Sequence, residues 1–235
     1  MRGFNLEKNK EFAKAKDIYE TYLKRFPSGK YADELLFKTG VIFTYILRDR
    51  TSGRTYFEQV ADKKASVPQS LSALYQLGLL KQWEGDLVSA KAYYNKLTEK
   101  SEGKITDTLK AAQERLKEIE SGKLLEHNLK SFMDASLKNE YAGLDMSKVE
   151  LKPSLYQPNP GQEIEIATCA YLSSSGCFNV ELQYLWSGDL GGASPAVKDP
   201  SFKSSYENPG TKMVGLVLIS PSGITDYSLD LIDVR

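Results

Sequence analysis

The stretch YLWSGDLGG, Tyr184 to Gly192, sets Asp189 among glycines directly after an aromatic run. A Gly-rich turn that holds an acid can cradle a phosphate or a cation, and Asp199 follows ten residues later in GDLGGASPAVKDP. Calcium takes about six or more oxygen ligands, and two carboxylates fall short of that number. The structural alternative is a tight corner in which glycines supply positive φ and Asp189 caps its own backbone. The rest of the chemical inventory is thin. General base and nucleophilic catalysis draw on a His, a Cys or paired carboxylates set against one another. The one histidine, His127, lies in a Lys/Glu/Asn-rich helical segment and reads as a solvated residue. Cys169 and Cys177, eight apart around a Ser/Gly-rich turn, have a spacing that allows a loop-closing disulfide or leaves two reduced thiols. A disulfide would place the chain in an oxidising compartment. With no further soft ligand these residues do not complete a tetrahedral metal site, so no catalytic residue, metal or cofactor is expected.

The elements that must position these residues fall into two kinds. The 235 residues, 41% hydrophobic and 26% charged, are ordinary for a globular protein of one large or two small domains. Dividing the charges after residue 140 gives 25 basic against 20 acidic before it and 6 against 11 after it, so a net of +5 faces −5. Neither half has the clustered basic stripe of a nucleic-acid footprint, and no nucleic-acid partner is expected. The longest apolar run, Met213 to Ile219, is far short of the roughly 18 residues of a membrane-spanning helix. The opening MRGFNLEKNKEF lacks a signal-peptide core.

In the first half Gly3, Gly40 and Gly78 recur at 37 to 38 residues, as do Tyr19, Tyr56 and Tyr94, with Ala15, Ser52 and Ala90 four places before each tyrosine. The first unit also carries Leu6, Phe12, Leu23 and Pro27, the third Leu77, Gly85 and Leu87, and the weaker second Leu36, Phe43 and Val60, with its proline displaced to Pro68. These segments resemble tetratricopeptide repeats (TPR), pairs of antiparallel helices with small residues at the close approach and an aromatic filling the gap. In texture they are similar to the repeats of bacterial envelope TPR proteins. The resemblance makes Gly3 a mid-helix glycine, which implies that the chain is a fragment with a signal sequence or further repeats upstream. Beyond the third unit, Leu109, Ala112, Leu116 and Ile119 mark a capping helix ending at Gly122. Leu125, Leu129, Phe132, Met133 and Leu137 mark another, leading to a linker.

From Lys148 the period changes to two, as at Val180, Leu182, Tyr184 and Trp186, with Pro, Gly, Asn and Ser between the runs. Short strands of this kind argue for an immunoglobulin-like sandwich with Trp186 in its core. YLWSGDLGG, YENPGTKMVGLVLIS and PSGITDYSLDLIDV resemble the corresponding segments of PKD domains, although an Asp and a Phe of the family's loop are absent after Trp186. The expected organisation is therefore multidomain, α then β: a TPR α-solenoid over residues 1–140, a linker over 141–147, and a PKD-like antiparallel β-sandwich over 148–235.

The resemblance to TPR arrays implies a concave groove lined by the first helix of each repeat. Carried over, it would hold Phe37, Val41, Thr44 and Tyr45 from the second unit and Tyr75, Leu79, Gln82 and Trp83 from the third. An exposed surface so rich in aromatics and poor in charge marks a binding site; the alternative is that a following segment packs over it. The expected function is a non-enzymatic scaffold of a bacterial envelope or surface, periplasmic or extracellular, that binds a protein or peptide segment, with self-association left open. The competing expectation is carbohydrate or cell-wall adhesion through the β domain, with Tyr206 and Tyr227 stacking on sugar rings.

Overall fold

A computed structural model describes residues 2–63, 68–144, 149–169, 171–173, 176–178 and 182–235, with backbone alone for 171–173 and 176–178. Val180 and the side chain of Cys177 lie outside the described residues. The chain divides into two compact units, 1–123 and 124–235.

The first unit is a run of helices, α1 (Arg2–Lys8), α2 (Phe12–Arg25), α3 (Ala32–Val41), α4 (Arg50–Ala61), α5 (Pro68–Glu84), α6 (Leu87–Lys100) and α7 (Asp107–Glu120). Each packs on its neighbours in sequence, and α3 also meets α5 as α5 meets α7, the adjacency of an α-solenoid of helical hairpins. The turn inside each hairpin has one design. Lys10, Arg48 and Gly85 take left-handed φ of 61°, 58° and 84°, and an acid follows each. Asp49 and Asp86 then cap α4 and α6 by accepting from the N–H of Ser52 at 3.0 Å and of Ser89 at 3.1 Å. These bonds favour the ionised carboxylate, and both pKa values are lowered, chiefly by the serine hydroxyl and then by its backbone N–H.

Where α3 ends, the helix continues as a π turn, Ile42–Ile46, in which Leu47 N–H donates to Ile42 C=O at 2.9 Å. A π turn holds one more residue than the α turn it replaces. The distance from glycine to left-handed residue shows the insertion: seven positions from Gly3 to Lys10 and from Gly78 to Gly85, but eight from Gly40 to Arg48.

The second unit opens with α8 (His127–Leu137) and continues with β1 (Glu150–Pro153), β2 (Ile164–Cys169), β3 (Tyr171–Ser173), β4 (Gly176–Phe178), β5 (Gln183–Gly188), β6 (Ser201–Ser204), β7 (Gly210–Ser220) and β8 (Gly223–Val234). Two three-stranded antiparallel sheets, β1-β2-β6 and β5-β7-β8, carry the strand order of an immunoglobulin-like sandwich, and β3 pairs with β4 as a separate ribbon. Between the sheets lie Leu151, Ile164, Ile166, Tyr184, Trp186, Phe202, Leu216, Leu218 and Ile232. Trp186 stands edge-on to Phe202 at 4.9 Å and satisfies its indole N–H on Asp199 C=O at 2.8 Å, the core position expected of it.

The boundary differs from the sequence expectation, because α8 belongs to the sandwich unit and not to the repeats. It packs on β5, β7 and β8. Strand β8 places Ile232 and Val234 toward the other sheet, so Tyr227, Leu229 and Leu231, two apart, form a second apolar face. Leaving that face in water would cost roughly 25 cal/mol per Å² of apolar area, and α8 covers it. Phe132 stands edge-on to Tyr227 at 6.2 Å and sits on Gly215 of β7, while Asn128 Nδ2 donates to Trp186 C=O at 3.0 Å. A Cβ on Gly215 would stand 2.7 Å from the Phe132 ring and 2.9 Å from Ser187 Oγ. Gly215→Ala should therefore lower the stability of this unit by about 1–3 kcal/mol, measured by denaturant unfolding followed through tryptophan fluorescence, and Phe132→Leu in the same chain should recover part of the loss.

Candidate functional site

The repeat unit is built on three glycine contacts. A Cβ on Gly3 would lie 2.5 Å from the Tyr19 ring, on Gly40 2.6 Å from Phe57, and on Gly78 2.4 Å from Tyr94. In each hairpin the aromatic of the second helix thus lies directly on the glycine of the first, and the helices close to a distance that a side chain would forbid. In the second hairpin the partner is Phe57, not the Tyr56 that the sequence period selects. Its small residue is Gly53, not Ser52: a Cβ there would come within 2.0 Å of Thr44 Oγ1 and 3.0 Å of Gly40 C=O. The residue added by the π turn shifts the second helix by one position. Tyr56 turns instead toward the first repeat, stacked on Phe43 at 5.4 Å and donating to Glu20 at 2.7 Å. Burial, and after it the Glu20 hydrogen bond, pushes the Tyr56 hydroxyl pKa up.

A second repeated device joins one hairpin to the next through buried polar groups. Glu7, four residues after Gly3, accepts from Tyr19 Oη at 2.7 Å and from Lys38 Nζ at 2.8 Å, tying α1 to α3. Tyr45, in the π turn, donates to Gln76 Oε1 at 2.6 Å and ties that turn to α5. Gln82, four residues after Gly78, accepts from Tyr94 Oη at 2.9 Å and donates to Glu118 at 3.2 Å, tying α5 to α7, where Arg115 pairs with Glu118 at 2.9 Å. In the second hairpin Phe57 has no hydroxyl to satisfy, and Thr44 stands where Glu7 and Gln82 stand in the others. Burial, and after it the neighbouring Tyr75, pushes the hydroxyl pKa of Tyr45 and Tyr94 upward, so both stay protonated donors.

These links correct the picture of an open aromatic groove. Phe37, Val41, Thr44, Tyr45, Leu79 and Gln82 are buried. Phe37 packs on Phe57 at 5.8 Å, and Tyr45 and Gln82 are engaged by the polar links, so this layer holds consecutive helices to one another. Two of the eight remain half-buried. Tyr75 tilts against Tyr94 at 6.0 Å. Trp83 lies under the Arg50 guanidinium at 5.4 Å, beside Glu84, which takes Arg54 at 2.9 Å. The sequence signal of these polar links is the recurrence of a polar residue, Glu7 and Gln82, four places after a repeat glycine.

In the sandwich unit the Asp189 segment is a corner. Gly188 and Gly191 have φ of 88° and 58°, and a Cβ on Gly188 would stand 2.3 Å from Met213 C=O. Asp189 pairs with the start of β7, its N–H donating to Met213 C=O at 2.8 Å and its Oδ2 accepting from Met213 N–H at 3.1 Å. Asp199 Oδ2 accepts from Ala196 N–H at 2.8 Å. Both carboxylates serve turns, and among the described residues no group of three or more His, Cys, Asp or Glu could hold a metal ion. Tyr206 and Tyr227 are buried at 1% and 2% exposure, which removes them as sugar-stacking platforms; Tyr206 Oη donates to Asp189 C=O at 2.8 Å. Cys169 is disulfide-bonded. Among the described residues no helix is long and apolar enough to cross a membrane.

The tetratricopeptide-repeat family model matches residues 1–29 and 72–101, the first and third hairpins. The second, with its inserted residue and its Phe57 in place of a tyrosine, lies outside the match. Comparison with curated proteins finds no match. The first and third hairpins are thus similar to tetratricopeptide repeats, and the N-terminal unit as a whole is a solenoid of helical hairpins. The Lys38–Glu7 pair tests its inner layer. Lys38→Met should destabilise the unit by about 3–5 kcal/mol by removing the cation from a buried carboxylate, whereas Lys38→Met combined with Glu7→Leu should return part of that loss, the remainder reflecting the Glu7 acceptor taken from Tyr19 Oη, measured in a double-mutant cycle.

Proposed function

We propose that the chain is a non-enzymatic protein-binding scaffold of a bacterial cell envelope or surface. Its repeat solenoid holds a peptide or protein segment, and its sandwich is a PKD-like accessory domain. The observation that carries the binding reading is the half-buried Trp83, under Arg50 at the end of α5, on a layer of which six of the eight members are locked into the core. A rigid, partly exposed tryptophan beside an arginine is the composition from which binding hot spots are made. Tyr75 is the second accessible aromatic of that helix. The disulfide at Cys169 supports an exported protein, since such bonds persist in oxidising compartments.

The adhesive alternative loses its support with the burial of Tyr206 and Tyr227. The test is affinity capture of envelope proteins with the intact chain, followed by titration of the captured partner. Trp83→Ala should weaken that partner by about 1–3 kcal/mol with an unchanged melting temperature. Tyr45→Ala, by contrast, should lower stability by about 3–5 kcal/mol, because it empties a buried site and orphans Gln76. Equal partner affinity in wild type and Trp83→Ala would remove α5 as the binding element. Thiol titration of denatured, unreduced protein should find no free Cys169 thiol; a reactive one would argue against export.

A further inference from the structure

The turn between the first and second hairpins, LKRFPSGKY, is the most exposed aromatic cluster of the repeat unit. Every residue from 24 to 31 except Gly29 is exposed. Phe26 stands 54% and Tyr31 44% in solvent. The half-buried Tyr22 holds both rings together, at 5.2 Å from Phe26 and 6.3 Å from Tyr31. The turn beneath them is fixed by Gly29 N–H on Phe26 C=O at 3.0 Å and Ala32 N–H on Gly29 C=O at 2.9 Å. Lys24, Arg25 and Lys30 rim the cluster, and Lys30 lies 5.4 Å over the Tyr31 ring. Among the described residues none of the three cations is ion-paired, while the acids that follow are already engaged, Asp33 by Lys63 and Glu34 by Lys38.

The cluster joins two exposed rings to three cations on one turn. They suit a flat anionic surface, into which aromatic rings enter at headgroup depth while Lys and Arg stay with the charge. The turn between α6 and α7 repeats the theme more weakly. There Ile105 is 73% exposed beside Lys104, and because helices alternate in direction along the array this turn lies at the same end of the hairpins.

We propose that this edge, centred on Lys24, Arg25, Phe26, Lys30 and Tyr31, docks the repeat unit onto the headgroup region of an anionic lipid bilayer. The docking is peripheral, and it is independent of the segment bound beside Trp83. Sedimentation of the intact protein with vesicles tests it. Partition should be strong on phosphatidylcholine vesicles containing about a third phosphatidylserine, weak on phosphatidylcholine alone, and should fall as salt is raised.

Each of Lys24→Gln, Arg25→Gln and Lys30→Gln should weaken binding by about fivefold, and Phe26→Ser with Tyr31→Ser by a similar factor with all charges kept, at unchanged melting temperature. Trp83→Ala should leave vesicle binding untouched, which separates this edge from partner capture. Equal sedimentation with the two vesicle types, or insensitivity to these substitutions, would overturn the proposal. So would tight binding of a poly-glutamate peptide without vesicle binding, which would assign the patch to acidic protein segments.

Discussion

The repeat unit depends on one steric constraint, the contact of an aromatic ring with a glycine that has no side chain to hold it away. At Gly3, Gly40 and Gly78 the ring lies where a Cβ would be, which fixes both the separation and the register of the two helices in each hairpin. Once that register is set, the residues four places on face the next hairpin, and Glu7 and Gln82 become linking groups without further adjustment. Removing the glycine contact would separate the helices and strand these polar groups in the interior, where an unpaired carboxylate or amide is costly. Packing and polar satisfaction are therefore one arrangement.

The second hairpin shows how the constraint absorbs an inserted residue. The extra position is taken up as a π turn, the small residue moves to Gly53, and the ring on Gly40 becomes Phe57. The tyrosine hydroxyl disappears together with the acceptor it would have needed, and the π-turn Tyr45 takes over the link to the next hairpin through Gln76. The consequence for function is that most of the aromatic surface of the first helices is committed to the array. Among the rings that remain accessible are Tyr75, Trp83 under Arg50, and the Phe26/Tyr31 turn, where the most exposed rings meet cations.

In the sandwich unit the dominant requirement is cover. Strands β7 and β8 are buried along most of their length, and only a layer on each face of their sheet can achieve that. The opposing sheet supplies one layer and α8 the other, with Gly215 opening the space for Phe132. The corner at Asp189 follows from the same economy. Its glycines permit the turn, its carboxylate and amide complete the pairing with Met213, and Tyr206 seals it from within.

By itself the sequence determined the helical period of 37 to 38 residues, the change to alternating strands near Lys148, the core role of Trp186 and the turn-forming role of the glycines around Asp189. Each of these is written in residues close along the chain, where periodicity, steric freedom at glycine and side-chain type act locally. Tertiary structure alone decided that Phe57 and not Tyr56 meets Gly40, that Phe37, Val41, Thr44, Tyr45, Leu79 and Gln82 are interior, that Tyr206 and Tyr227 are buried, and that α8 joins the sandwich. These outcomes depend on which distant segments come to lie opposite one another. A one-residue π turn rotates everything after it to a new neighbour, and an apolar helix such as α8 carries the same stripe whichever face it covers.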